Sequence, residues 1–373
     1  MCGIYAYIQS TPISNSNNRR NALKASQKIR HRGPDGTGYH QTRYGCFSHM
    51  RLSIIDPNSG IQPLTNQDNT IVLCVNGEIF NYKELKKEFS HYNYKTESDC
   101  EVILALYETM LNYKNNNTDN TDNTDNTDNN KLEHNEIVHL MSKLNGQFSF
   151  ILHDTQNNMV FVARDPFGIT QSYYGMDENG GIHISSELKA LTQCITVNYM
   201  PPGHYLYFNA QELVLNPINY FQDTKDGIWS KSNNNINNIQ YYYCENPILN
   251  NEDETILLTQ IRETFEKAVI DRLMSDVPFG ILLSGGLDSS LVASIAVKYI
   301  KEHPEIYGKI PIINTFSIGA KDSSDLPYAR KVAEFLGTKH HEIDFTVEEG
   351  MNSIDEIINV LETYDITTIR AST

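Results

Sequence analysis

The residues Met1-Cys2-Gly3-Ile4 place a thiol directly behind the initiator methionine. Removal of Met1 would leave the α-amine of Cys2 beside its own sulfur. An α-amine titrates near about 7.7–8.0 and a cysteine thiol near about 8.5, so at neutral pH the amine can take the thiol proton directly or through water. Such a nucleophile needs no histidine. Taken alone, a cysteine here would be only a frayed end. Other residues support a chemical role. Asn76-Gly77-Glu78 follows the apolar run Ile71-Val72-Leu73-Cys74-Val75. Asn-Gly after a strand reads either as a hairpin turn or as a turn whose N–H groups and amide cradle an oxyanion. The helical pattern of Tyr82 to Phe89 disfavours a second hairpin strand. Farther on, Ser284-Gly285-Gly286-Leu287-Asp288-Ser289-Ser290 joins a buried strand to an apolar helix. A glycine-rich loop at a helix start presents N–H groups to phosphate, although this one lacks a Walker lysine and the Gly-x-Gly-x-x-Gly spacing.

The whole chain sets the limits on this chemistry. Its 373 residues suggest two domains, or one and part of another, and 22 Tyr and 14 Phe suit a globular protein. The net charge of −16 disfavours broad contact with nucleic acid or an anionic membrane, so anionic substrates must be met by local groups. No apolar run reaches the ~20 residues of a membrane span and no leader pattern opens the sequence, so a cytoplasmic location is expected. The cysteines at 2, 46, 74, 100, 194 and 244 lack Cys-x-x-Cys spacing, which disfavours a zinc site or disulfide framework. All but Cys2 read as buried small hydrophobes. His340-His341-Glu342 is set aside as a metal site because adjacent strand residues face opposite ways.

The positioning elements follow from pattern. Ile4 to Ile8 reads as an interior strand that would fix Cys2 at its start, and Asn21 to Ile29 as a short helix. His31-Arg32-Gly33-Pro34-Asp35-Gly36 reads as a turn. Strand residues Tyr44 to Phe47 lead into a segment from His49 to Asp56, followed by a loop. Ser98-Asp99 would cap an apolar helix over Val102 to Leu111. Residues 115–130, with their Thr-Asp-Asn repeats, read as a disordered insertion without chemistry. A helix over Ile137 to Leu144, strands over Gln147 to Leu152 and Met159 to Ala163, and short strands near Ile182 to Ser185 and Tyr205 to Phe208 complete an α+β domain ending near Tyr220. A polar linker covers 223–251. The helix Thr255 to Met274 then opens a βαβα region with a parallel sheet, whose ligands belong at the strand ends near Ser284 and Ile318.

Seven segments in order resemble the glutamine-dependent asparagine synthetases. They are Met1-Cys2-Gly3-Ile4, His31-Arg32-Gly33-Pro34-Asp35, Arg51-Leu52-Ser53-Ile54-Ile55-Asp56, Asn76-Gly77-Glu78-Ile79, Ser98-Asp99, Arg164-Asp165-Pro166-Phe167-Gly168 and the loop Ser284 to Ser290. The late Glu362-Thr363-Tyr364-Asp365 and Ile369-Arg370-Ala371-Ser372-Thr373 point to the asparagine branch. The resemblance implies a layered αββα amidotransferase domain over 2–222 and the first part of an α/β ATP-pyrophosphatase domain over 252–373. It implies that Cys2 attacks the glutamine amide, Asn76 and the Gly77 N–H hold the oxyanion, Arg51 pairs with the α-carboxylate and Asp99 with the α-ammonium. Glu78 and the backbone of Leu52, Ser53, Ile54 and Ile55 complete that pocket. For ATP it implies the loop residues Ser284, Gly285, Gly286, Asp288, Ser289 and Ser290, with Leu283 and Ile318 at the adenosine part. Mg²⁺ would bridge the phosphates, its protein ligands not being legible, and ammonia would reach an aspartyl adenylate through an internal tunnel.

Two departures from the family pattern stand out. Ile169-Thr170-Gln171-Ser172 replaces an Ile-Arg-Pro-Leu-like run, which alters contacts near the domain interface. The sequence also ends at Thr373, before a further Ser-Gly-Glu-Gly-Ser-Asp-Glu-like loop, which leaves apolar sheet faces to be covered. A homodimer or a separately encoded C-terminal half is therefore an expected partner. The alternatives to complete asparagine synthesis are a glutaminase and a glutamine-binding regulator.

Overall fold

Gly3–Ile8, the first strand β1, is buried along its whole length, and its alternation sends Ile4, Ala6 and Ile8 to one face and Tyr5 and Tyr7 to the other. The computed structural model describes residues 2–13, 16–117, 131–213, 218–219, 254–307, 312–320 and 323–363. Two compact units emerge, Met1–Ile248 and Leu249–Thr373.

In the first unit the chain runs α1 (Ser16–Gln27), β2 (Gly36–Gln41), β3 (Gly45–Arg51), β4 (Leu64–Thr65), β5 (Ile71–Ile79), α2 (Tyr82–Glu88), α3 (Val102–Asn117) and α4 (His134–Lys143). It continues through β6 (Gly146–Asp154), β7 (Met159–Arg164), β8 (Tyr173–Asp177), β9 (Ile182–Ser185), β10 (Cys194–Tyr199), β11 (His204–Asn209) and β12 (Ile218–Asn219). Two six-stranded sheets form, in the orders β10-β8-β9-β1-β3-β2 and β12-β11-β7-β6-β5-β4. Ile4, Ile8 and Phe47 from one sheet meet Val72, Ile151, Val162 and Leu206 from the other in a shared core. Each such aliphatic side chain contributes about 1.5–3 kcal/mol when fully buried. Tyr5, Tyr7, Cys46 and Met50 pack on the opposite face against Ala22 and Ala25 of α1. The result is the layered αββα arrangement.

The strand through Asn76-Gly77 corrects the expected turn. β5 continues to Ile79, with Asn76 opposite Ser149 and Gly77 opposite Phe148. Gly77 has φ 148°, and a Cβ there would lie 2.1 Å from the Gln147 carbonyl oxygen. Glycine therefore lets the ladder pass a close approach where a turn was expected. Gly77→Ala should cost several kcal/mol, about 2–6, from backbone strain and overpacking. Urea unfolding monitored by circular dichroism checks this; an unchanged midpoint contradicts the packing account.

Other differences have similar causes. Strand β3 extends to Arg51, and β2, β8 and β10 arise where no strand was expected. Gly36-Thr37-Gly38 has weak strand propensity, but β2 gains its register from β3, with Gly36 opposite Arg51. Ser98 accepts the Cys100 N–H at 3.3 Å and caps a short 3₁₀ turn, Asp99–Glu101, which precedes α3. The expected repeat insertion at 115–130 and the linker at 223–251 lie outside the described residues, apart from the last turn of α3, which continues to Asn117 instead of stopping at Leu111. Cys46, Cys74 and Cys100 are buried, Cys194 is half-buried and Cys244 lies outside the described residues.

The second unit contains α5 (Glu254–Asp271), β13 (Gly280–Leu282), α6 (Leu287–Glu302), α7 (Pro304–Tyr307), β14 (Asn314–Gly319), α8 (Leu326–Leu336), β15 (Lys339–Asp344) and α9 (Val347–Leu361). β13, β14 and β15 form a parallel sheet in that order. Leu283, Ala293, Val297, Ala329 and Leu336 pack into its core. No helix among the described residues is long and apolar enough to cross a membrane.

Candidate active site

The antiparallel pairing of β1 with β3 sets Gly3 opposite Met50, which carries Cys2 to the chain leaving Arg51. The Leu52 N–H donates to Cys2 Sγ at 3.3 Å, and the thiol reaches the Leu52 carbonyl at 3.4 Å. Burial raises the Cys2 thiol pKa, and the Leu52 contact acts in the opposite direction. A desolvated thiol thus depends on a nearby base to become a nucleophile.

The turn around Gly33 fixes the other side. A Cβ at Gly33 would lie 2.0 Å from the Met50 carbonyl carbon, so only glycine allows that approach. The Asp35 N–H donates to the Arg51 carbonyl at 3.0 Å, and Asp35 Oδ2 accepts the Ser53 N–H at 2.7 Å. Arg32 Nε donates to the Cys2 carbonyl at 2.8 Å. The segment that looked like an ordinary turn therefore holds both the Cys2 backbone and the chain from Arg51 to Ser53.

Cys2, Arg51, Glu78 and Asp99 line one cavity together with Leu52, Ile54, Ile55 and Gly77. Two expected members stand outside its lining. Ser53 is tied to Asp35, and Asn76 is completely buried on β5, where its side-chain amide has no hydrogen-bond partner among the described residues. An amide buried without partners carries a desolvation cost of about 1–3 kcal/mol. Arg51 is held by the Pro57 carbonyl at 3.1 Å and the Asp56 carbonyl, which sets the guanidinium in the cavity wall. Asp99 is 4% exposed and accepts the Ile79 N–H at 2.8 Å. Burial raises its pKa above the ordinary carboxylate value.

Sequence reasoning missed His49 and Gln147 in this lining, and the hold of Arg32 on Cys2. His49 follows the strand period from Phe47, but its partner, the Val75 carbonyl at 3.0 Å, belongs to the other sheet. Burial lowers its pKa to about 4, so it is neutral at pH 7 and donates Nε2–H to that carbonyl.

In the second unit, Ser284 Oγ and Ser289 Oγ lie 2.9 Å apart across the glycine loop, and Gly286 caps α6. Gly285 has φ 83° and a Cβ there would come within 2.3 Å of the Ala329 nitrogen, so the loop must stay close to α8. Ser290 Oγ is buried without a partner among the described residues. The Leu283 side chain is in the core and its N–H donates to the Phe316 carbonyl at 2.8 Å, whereas Ile318 is exposed. Asp288 is an exposed acid in the first turn of α6. Among the described residues no group of three or more His, Cys, Asp or Glu could hold a metal ion.

The glutamine amidotransferase domain family matches residues 49–193 and the asparagine synthase family matches residues 260–373. A probable glutamine-hydrolysing asparagine synthetase of Dictyostelium discoideum is 40% identical over 383 aligned residues, spanning all of this chain and 60% of that protein. The chain joins a glutamine amidotransferase domain to an asparagine synthase domain and resembles the glutamine-hydrolysing asparagine synthetases along its whole length. An asparagine synthetase of Brassica oleracea is 41% identical, and one of Lotus japonicus 40%, each across the whole chain and 55% of the relative. The chain thus spans somewhat over half the length of these synthetases.

Proposed function

We propose that this chain hydrolyses glutamine at Cys2 and supplies the ammonia to an ATP-dependent amidation of aspartate, giving asparagine, AMP and pyrophosphate. Residues 2–222 would form the amidotransferase domain and 252–373 the synthetase portion, acting in the cytoplasm. The observation that carries the reading is the single cavity that gathers Cys2, Arg51 and Asp99. A thiol, a planar cation and a carboxylate match the amide, carboxylate and ammonium of glutamine.

With Met1 removed, the Cys2 amine takes the thiol proton and Sγ attacks the side-chain amide carbon. The Asn76 amide and the Gly77 N–H would stabilise the resulting oxyanion. Its collapse breaks the C–N bond, the ammonium of Cys2 returns the proton to the departing nitrogen, and a thioester remains. Water, deprotonated by the same amine, then attacks the thioester, releasing glutamate and restoring the thiol. In the second unit the loop from Ser284 to Ser290 would bind the ATP phosphates, with Leu283 offering its backbone and Ile318 its exposed side chain to the adenosine part. Mg²⁺ would arrive on those phosphates with Asp288 as the nearby carboxylate, and it would neutralise their charge.

Incubation with glutamine, following glutamate release, tests the first step. Incubation with ATP, aspartate and ammonium, following AMP and asparagine, tests the second. Glutamate release without AMP formation supports the glutaminase reading instead.

Asp99→Asn should raise the KM for glutamine at least about tenfold with a smaller change in kcat, because it removes a charge-assisted partner of the ammonium. A pH effect follows from the same residue. Its folded pKa is raised, so its stability contribution is present below its unfolded pKa and is lost as pH rises through the folded value. Glutamine binding requires the ionised form, so kcat/KM should fall as pH drops through that raised value. Initial rates from pH 4 to 8 check the prediction, and an acid limb unchanged in Asp99→Asn contradicts it.

A further inference from the structure

The carboxylate of Glu187 is 1% exposed and receives three donors. Arg32 Nη1 lies 2.8 Å and His31 Nε2 3.1 Å from Oε1, and Lys189 Nζ lies 2.7 Å from Oε2. Arg32 and Lys189 hold the Glu187 pKa below its ordinary value despite burial, so the group is an anion at neutral pH. Arg32 uses Nε for the Cys2 carbonyl and Nη1 for Glu187, while Nη2 is buried without a partner among the described residues. Glu187 is thus the acidic anchor of the guanidinium that holds Cys2.

The same segment grips β1 a second time. The Ile4 N–H donates to Ser186 Oγ at 3.0 Å, and the Ser186 N–H donates to the Ile4 carbonyl at 3.0 Å. The Glu187 N–H is itself fixed by Ser185 Oγ at 3.2 Å. From Ser185 to Glu187, therefore, the chain leaving β9 clasps the nucleophile's strand at Ile4 directly and at Cys2 through Arg32. We infer that Glu187 is a positioning residue for the thiol: through Arg32 it fixes the Cys2 backbone so that Sγ meets the Leu52 N–H.

This role rests on Cys2 being the nucleophile, but its geometric consequence extends beyond glutamine hydrolysis. The charged groups acting on the sulfur are the N-terminal amine, Arg51 and Asp99, and the Leu52 N–H is the contact that stabilises its thiolate. Losing Glu187 leaves the Arg32 guanidinium with the Cys2 carbonyl as its one remaining hydrogen-bond partner among the described residues, and Cys2 gains freedom to leave Leu52. The thiol pKa should then rise.

The test compares the wild-type chain with Glu187→Gln, Arg32→Lys and the double variant. Two readouts are taken: the pH profile of Cys2 alkylation by iodoacetamide, located by peptide mass, and kcat and KM for glutamine. Glu187→Gln should move the alkylation profile alkaline and lower both the alkylation rate and kcat about tenfold at neutral pH, a shift of about one pH unit. KM should stay within about twofold, since Arg51 and Asp99 are untouched. The double variant should lose no more than the worse single one, because both act through one contact. A wild-type alkylation profile in Glu187→Gln, or losses that multiply in the double variant, overturns the inference. Should Glu187→Gln fail to fold, Arg32→Lys decides alone: it keeps the charge but loses the fork, and an unshifted profile overturns the inference. A wild-type chain that does not hydrolyse glutamine refutes the proposed function, while the alkylation comparison still decides the role of Glu187.

Discussion

Cys2→Ala is expected to reduce glutamate release from glutamine by at least about 10³-fold, to the level of a chain with no nucleophile. The sulfur lies 3.3 Å from the Leu52 nitrogen and shares its cavity with Arg51 and Asp99, so its removal takes away the bond-forming atom and leaves the binding groups in place. Glutamine should still bind Cys2→Ala with an affinity within about threefold of wild type, measured by calorimetry, because truncation to alanine removes only the sulfur. Cys2→Ser should fare little better, since a hydroxyl is far harder to ionise than a thiol. Hydrolysis that persists at the wild-type rate in Cys2→Ala would exclude the thioester route.

The second large effect is expected at Asn76, and here activity and stability should part. Asn76→Ala should lower kcat about 10²–10³-fold, the usual consequence of losing one oxyanion donor, with KM within about twofold. Its thermal midpoint should nevertheless hold or rise. The amide is fully buried and has no partner among the described residues, so its removal relieves a desolvation cost of about 1–3 kcal/mol that offsets the lost packing. Differential scanning calorimetry beside steady-state kinetics separates the outcomes. A marked fall in midpoint with kcat unchanged would make Asn76 a structural residue. Burial without a partner among the described residues fits the proposed role of Asn76 as a donor to a charge that forms only during the reaction.

Cys2 was legible as a candidate from its place directly before a strand, whereas Arg51 lay beyond the expected strand Tyr44 to Phe47 and Asp99 read only as part of a helix start, so both entered the candidate site through the family resemblance. The reading failed where a residue's conformation is set by a distant neighbour. Asn76-Gly77 has turn composition, yet the partner strand Gly146–Asp154 keeps it extended, and Gly77 is needed for the close approach to Gln147. Gly36–Gln41 is poor in strand formers and becomes a strand only because β3 lies beside it. In Cys194–Tyr199, by contrast, Ile195, Val197 and Tyr199 alternate in the sequence itself. They alternate at a sheet edge, where all three remain exposed.

The sequence by itself determined a thiol directly behind the initiator and a glycine-rich loop before a helix, while the family resemblance singled out Arg51 and Asp99 as candidate partners of an amino acid. The sequence also pointed to an α+β first domain, since Ile71 to Val75 and Met159 to Ala163 are apolar runs of strand length, and the family resemblance supplied the layered αββα arrangement. Only the tertiary structure decided that Cys2 meets Leu52, 50 residues away, or that Glu187 reaches Arg32 across 155 residues. Such contacts depend on the register of antiparallel strands. A slip of one residue would turn every side chain on a strand to the opposite face, and no local pattern specifies which distant backbone will lie alongside.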